Sequence, residues 1–213
     1  MISFLSFLLL IIPSFQIDPS KISVAYFSIR GETYGCGKVS IGNNENIVDY
    51  IESLYRTIDR FSVVVKNSYP DALDELITIG LEEKYSNTLP ELMFDFNNLN
   101  NFDVIILLYP IWHNDLPNAV MSLLKKYNFS GKTIYPFATH EGSGFGNSIE
   151  QIKKLAYNST IKEGFLLRGK EAREESSQPA IKKFLSDILD TPESESCYIK
   201  MSIFLLLYIF ILF

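Results

Sequence analysis

Residues 103–109 read DVIILLY and run directly into PIWHNDLP (110–117) and then NAVMSLLKKYN (118–128). A run bounded by Asp103 and Pro110 with no polar residue between is too short for a buried helix and does not alternate as a half-exposed strand would. It has the pattern of a central parallel strand covered on both faces. The same alternation of short apolar runs and longer amphipathic ones extends outward in both directions. Downstream lie a strand KTIYPFAT (132–139), a helix SIEQIKKLAY (148–157), a strand IKEGFLLR (161–168) and a closing helix PAIKKFLSDIL (179–189). Upstream lie a strand KISVAYFSI (21–29), a helix ENIVDYIESLYRTID (45–59), a second strand FSVVVK (61–66) and a helix DALDELITIGLEEKY (71–85). Five strands interleaved with five helices predict an α/β chain with a doubly wound parallel sheet, in which a ligand binds beyond the carboxyl ends of the strands.

Composition narrows the function. The 213 residues are 47% hydrophobic and 21% charged, and part of the apolar excess sits in two terminal runs, MISFLSFLLLIIPSF (1–15) and MSIFLLLYIFILF (201–213), that carry no charge. Two cysteines, Cys36 and Cys197, are too few for a disulfide scaffold or a four-cysteine zinc site, and no metal site is expected. With 25 acidic against 19 basic residues and a net charge of −6, the chain has no basic tract to hold a nucleic acid.

The terminal runs read as addresses or anchors. Residues 1–16 have the length of a signal-peptide apolar core, with an uncleaved anchor as the alternative. Residues 191–200 form a polar spacer before the 201–213 tail, which suits a GPI-attachment signal or a short tail anchor. The sequence thus predicts membrane association in the secretory pathway or at the cell surface, with the cytoplasmic face of a membrane as the alternative. Two glycosylation triplets, Asn128-Phe129-Ser130 and Asn158-Ser159-Thr160, fall in predicted turns.

Three loops follow strands at the carboxyl edge. The first, after residue 28, carries Gly31, Gly35, Gly37 and Gly42 and ends at Asn43-Asn44 before a helix, so its amides and the helix dipole suit a phosphate; its other reading is a surface loop capped by Asn43 or Asn44. The nucleotide patterns G-x-G-x-x-G and G-x-x-x-x-G-K-S/T are absent. The second loop holds the chain's one tryptophan, Trp112, either a platform for a flat ring or a packing anchor. The third, Thr139-His140-Glu141-Gly142-Ser143-Gly144-Phe145-Gly146, offers backbone amides at close range, and His140 there is a hydrogen-bonding or a catalytic residue. A phosphate cradle, an aromatic platform and a glycine-rich wall together match the shape of flavin mononucleotide (FMN).

The stretches YPIWHNDLP (109–117) and FSGKTIYPFATHEGSGFGNSIEQIKKL (129–155), supported by VAYFS (24–28), GNNENIVDYI (42–51) and EGFLLRG (163–169), resemble the flavodoxin-like family over residues 21–190. The resemblance implies a flavodoxin-like three-layer sandwich, a five-stranded parallel sheet in the order 2-1-3-4-5, and one FMN held non-covalently. Ser28, Asn43 and Asn44 then match phosphate-loop positions, with Arg30 in the same loop. Pro110, Ile111 and Trp112 match the loop against the flavin ring, and Thr139, His140, Gly142, Ser143, Gly144 and Gly146 match the loop beside its pyrimidine edge. The chain departs from the family pattern in a phosphate loop broken by about a dozen extra residues, in His113 where a second aromatic residue is common, and in Glu141, which would lower the flavin's potential if it points inward. The implied activity is electron or hydride transfer between a reduced donor and a quinone or protein acceptor, with the flavin carrying the chemistry and no residue acting as a nucleophile. Two rivals stand beside it: a membrane-displayed binding module without flavin, and a hydrolase using His140 with Ser143.

Overall fold

The computed structural model describes residues 17–190. Its sheet and its cleft belong to the compact unit Pro19–Phe184. In the other unit, which contains residues 17–18 and 185–190, the Ile17 N–H donates to the Leu189 carbonyl at 3.2 Å. The expectations for residues 1–16 and 191–213 lie outside the described residues. Among the described residues no helix is long and apolar enough to cross a membrane.

In chain order the elements are β1 (Ile22–Tyr26), β2 (Gly31–Thr33), β3 (Gly37–Val39), α1 (Asn43–Leu54), β4 (Asp59–Ser62), α2 (Leu73–Ser86), β5 (Val104–Pro110), α3 (Asn118–Lys126), β6 (Thr133–His140), α4 (Ser148–Leu155), β7 (Thr160–Ile161), β8 (Phe165–Arg168) and α5 (Gln178–Leu189). The main sheet is parallel in the order β4-β1-β5-β6, with β7 and β8 both pairing with β6. This is the predicted order 2-1-3-4-5, with the fifth strand in two pieces.

β5 is the centre, as its sequence predicts: Val104 to Tyr109 are all buried. Ile105, Leu107 and Tyr109 join a core cluster with Ala25 and Phe27 of the β1 segment, Val120 and Leu123 of α3 and Ile152 of α4. Ile105, Leu107 and Leu123 are each 0–1% exposed, and burying such a side chain contributes roughly 1.5–3 kcal/mol. On the opposite face Phe137 and Phe165 meet Phe184 of α5 at ring distances of 5.6 and 5.2 Å.

Several boundaries differ from the sequence expectation, and the larger differences have physical reasons. The helix expected over 45–59 ends at Leu54, because the chain must turn to pair Asp59 with Ser23; Ile58, spaced as if helical, is buried in that turn. The second strand begins at the charged Asp59 and Arg60, on a sheet edge, where exposure removes the apolar pattern. Past Val63 the FSVVVK segment leaves β1 and pairs instead with residues 91–93, through Lys66 N–H to Glu91 O and Met93 N–H to Val64 O, both at 2.8 Å. The strand expected over 161–168 is interrupted at 162–164, where Gly164 passes so close to the Pro136 carbonyl that a Cβ would stand 2.7 Å from it. Finally, the glycine-rich stretch after β1 is an antiparallel hairpin, β2 with β3, rather than a plain loop. In the two Asn-x-Ser/Thr triplets Asn128 and Asn158 are exposed, while Phe129 is buried and Thr160 belongs to β7; Ser130 N–H donates to Asn128 Oδ1 at 2.9 Å.

Candidate functional site

The carboxyl ends of β1, β5 and β6 open on a cleft of about 210 Å³. Its lining includes Ser28, Asn43, Asn44, Pro110, Ile111, Trp112, Thr139 and His140 of the sequence candidates. Arg30, Gly142, Ser143, Gly144 and Gly146 are not among the lining residues.

The aromatic end is built on a tight turn. Trp112 and Asp115 exchange backbone hydrogen bonds at 3.0 and 2.8 Å, while His113 and Asn114 between them sit at φ +48° and +68°, the two left-handed positions of a type I′ turn. The half-buried Trp112 ring meets Phe27 and Tyr69 edge-on at 5.3 and 5.1 Å. It therefore both packs against the core and lines the cleft, so the two readings of this residue are compatible. The turn is bolted from below: Asp115, buried, accepts from Lys84 Nζ of α2 at 2.8 Å and from Asn147 Nδ2 at 2.7 Å, and Lys84 also donates to the His113 carbonyl at 2.7 Å. Burial and the Lys84 ammonium hold the His113 imidazole below the ordinary histidine range. Behind it the Tyr69 hydroxyl donates to both Glu83 oxygens at 3.0 Å; burial, then the Glu83 charge, pushes the phenol up, and burial also raises Glu83.

The third loop closes on the turn and on itself. Gly146 comes so near Asn114 that a Cβ would stand 2.2 Å from the Asn114 carbonyl, so only glycine fits there at its φ of +50°. The Gly142 and Gly144 amides, expected to face a ligand, donate instead to His140 Nδ1 at 2.9 and 3.2 Å. That ring nitrogen is therefore occupied and does not serve Ser143 as a base. Thr139 is buried, and its hydroxyl donates to Asn44 Oδ1 at 2.8 Å.

The opposite end of the cleft is formed by the start of α1. Asn44 also donates from Nδ2 to the Phe27 carbonyl at 2.9 Å, so its side chain is spent inside the protein. Ser28 Oγ accepts the Glu45 N–H at 3.0 Å, replacing the cap that Gly42 cannot provide, and its own proton stays available to a ligand. Gly42 is required by crowding, since a Cβ would stand 2.3 Å from both Ser28 Oγ and the Ile29 carbonyl. The amides of Asn43 and Asn44 have no acceptor within the helix. Arg30 is turned to Glu45 with a two-pronged pair at 2.7 and 3.1 Å, and that guanidinium holds the Glu45 carboxyl below its usual range.

Several lining residues lay outside the sequence candidates. Glu32, Thr33 and Tyr34 come from the hairpin, Leu73, Leu76 and Ile77 from α2, and Gly169 from the short 3-10 helix after β8. His113 and Glu141 line the cleft as well. The hairpin reaches α2 because Glu32 N–H donates to the Asp71 carbonyl at 2.7 Å and Glu32 Oε2 accepts the Leu73 N–H at 3.2 Å. These are contacts across about forty positions of chain, which no local motif encodes. Among the described residues no cluster of three or more histidine, cysteine or acidic side chains is arranged for a metal ion.

A doubly wound sheet with this strand order and a cleft at the carboxyl ends of its central strands defines the class of flavodoxin-like α/β proteins. The model of the family described as flavodoxin matches residues 21–188, and the chain belongs to that family. Among solved structures, a protein assigned as a flavoprotein from Bacteroides eggerthii is 25% identical with a TM-score of 0.60, covering 80% of this chain and 98% of its own. Another from Bacteroides uniformis is 20% identical with a TM-score of 0.59, covering 78% and 97%. A flavoprotein from Lactobacillus acidophilus, solved in complex with FMN, is 19% identical with a TM-score of 0.54, covering 73% and 98%. A search of curated proteins found no match.

Proposed function

We propose that this chain is an FMN-binding flavoprotein that passes electrons between a reduced donor and a quinone or protein acceptor. The observation that carries the reading is the polarity of the cleft. One end presents Trp112 with Ile111, Leu76 and Ile77, and the other presents neutral donors, namely the Ser28 hydroxyl, the Asn43 side chain and the amides of Asn43 and Asn44, which have no acceptor within the helix. The donor set fits FMN: a helix start with hydroxyl and amide donors suits a phosphate, and an aromatic and aliphatic wall suits a fused ring system. Family membership over residues 21–188 supports the same reading.

When bound, FMN supplies reversible redox chemistry at its ring. The chain's residues bind and orient. Asn43 and Ser28 would hold the phosphate, and Pro110, Ile111 and Trp112 would exclude water from one side of the ring. Glu141 adds a negative charge to the lining, beside Gly169 and the Asn43 amide. The apolar segments 1–15 and 201–213 extend the proposal to membrane association, at the cell surface or in the secretory pathway, or at a cytoplasmic membrane face.

The test is a titration of the full-length chain with FMN, following flavin absorbance and fluorescence. Bound, quenched flavin is expected, and Trp112→Ala should weaken binding about tenfold, as expected for losing a stacking contact near 1.4 kcal/mol. A chain that stays colourless and ignores FMN overturns the proposal in favour of a flavin-free binding module. Sedimentation of the expressed protein with membranes, or its recovery without them, tests the tethering.

A further inference from the structure

The donor end of the cleft contains an arrangement that no local motif encodes. Arg173, from the short 3-10 helix that follows β8, reaches back to the start of α1 and donates from Nη1 to the Ile41 carbonyl at 2.8 Å and to Asn43 Oδ1 at 3.4 Å. A guanidinium has donors only, so it fixes which way the Asn43 amide points: Oδ1 faces Arg173 and Nδ2 is turned away from it, with one of its two N–H groups directed to Cys36 Sγ at 4.0 Å. On that other side, a Cβ added at Gly169 would stand 3.1 Å from Asn43 Nδ2 and 2.4 Å from Glu141 Oε1. The absent side chain of Gly169 is thus what lets the Asn43 amide and the Glu141 carboxylate flank one point, and all three residues line the cleft.

The electrostatics of the lining make this arrangement consequential. Its charged members are two carboxylates, Glu32 and Glu141, and neither lysine nor arginine is among the lining residues. Glu32 is engaged with the Leu73 amide at 3.2 Å, whereas Glu141 Oε1 flanks the same Gly169 position as the Asn43 donor. Arg30 does not compensate, since it is paired with Glu45.

We propose that Arg173, Asn43 and Glu141 together set how strongly the cleft prefers a phosphorylated flavin over an unphosphorylated one. Arg173 is a positioning residue that fixes the Asn43 amide so that the second N–H of its NH₂, the one not directed to Cys36, is left for the cleft. Glu141 is a competing anion for the same NH₂. The inference rests on the FMN reading given above, and it goes beyond it by assigning the phosphate preference to two residues from the segments that follow β6 and β8.

The two residues act in opposite directions, which makes the proposal easy to break. The full-length chain is titrated with FMN and, separately, with riboflavin, which carries the same ring without the phosphate. Arg173→Gln should weaken FMN about tenfold and leave riboflavin within about twofold, a size typical of one charge-supported hydrogen bond. Arg173→Lys, which keeps a donor and the charge, should recover most of the loss. Glu141→Gln should tighten FMN about threefold to tenfold without moving riboflavin, and its gain should shrink between about 50 and 500 mM salt as screening grows. Glu141 is exposed, so this variant keeps the test valid even if an Arg173 substitution disturbs folding, which a thermal melt reports. If FMN and riboflavin shift together, or if neither responds to any variant while FMN still binds the wild-type chain, the relay is wrong and the FMN reading stands. If the wild-type chain binds neither flavin, the FMN reading fails and the relay fails with it.

Discussion

The two ends of the cleft are fastened in different ways. The tryptophan end is held by partners that are mostly buried and that converge on one carboxylate, Asp115, which is 9% exposed and takes both Lys84 and Asn147. The donor end is held at the surface: Arg30 with Glu45, Arg173 with Ile41 and Asn43, and an inserted hairpin tied to Asp71. Beneath both runs the buried bridge from Phe27 through Asn44 to Thr139. The difference teaches that the platform is part of the folded core, while the donor end is an attachment whose charges can be altered without unfolding it.

The bridge is the place to break both ends at once. Asn44→Ala leaves the Phe27 carbonyl and the Thr139 hydroxyl buried without their partner, and should cost about 2–4 kcal/mol in urea unfolding. Next comes the platform alone. Asp115→Ala takes from Asn147 its carboxylate partner and leaves Lys84 only the His113 carbonyl, and should cost about 2–3 kcal/mol, with a fall in Trp112 fluorescence anisotropy decay time as the turn loosens.

A smaller, pH-dependent effect sharpens the contrast. His113 has its folded pKa held below the ordinary 6.5, so it contributes stability that is present above that value and lost as pH falls through 6.5 toward the folded pKa. Melting temperature should therefore drop between about pH 7 and pH 5, and His113→Gln should flatten that part of the profile. The smallest effect belongs to the donor end: Arg30→Gln removes an exposed pair and should cost about 0.2–1 kcal/mol with no change in FMN affinity, measured by the same titration. A large loss of FMN affinity there would place Arg30 in the site and erase the contrast.

What the sequence made legible follows the same division. DVIILLY reads as a central strand because both faces of β5 are covered, and Trp112 and Thr139 were readable because they follow buried strands directly. The extent of β4 is not legible because an edge strand starting Asp59-Arg60 has no apolar pattern to read. The hairpin escaped because strands of three residues, separated by glycines, are too short to alternate. His140 drew attention as a possible catalyst because local sequence shows an imidazole among glycines and does not show that their amides bind it. Arg173 was invisible for a different reason: its partners lie about 130 positions away, and nothing in Lys170-Glu171-Ala172-Arg173 announces them.

The inserted hairpin has one further consequence, and it concerns time. β2 and β3 pair over three residues, whereas β5 and β6 pair over seven, so the hairpin's backbone amides should exchange with deuterated solvent long before those of 104–110. Since Tyr34 and Thr33 of that hairpin line the donor end, the residence time of a ligand there should follow the hairpin's opening rate rather than the stability of the sheet. A stopped-flow dissociation rate that matches the exchange rate of residues 31–39, and rises when those residues are shortened to a tight turn, is the expected result.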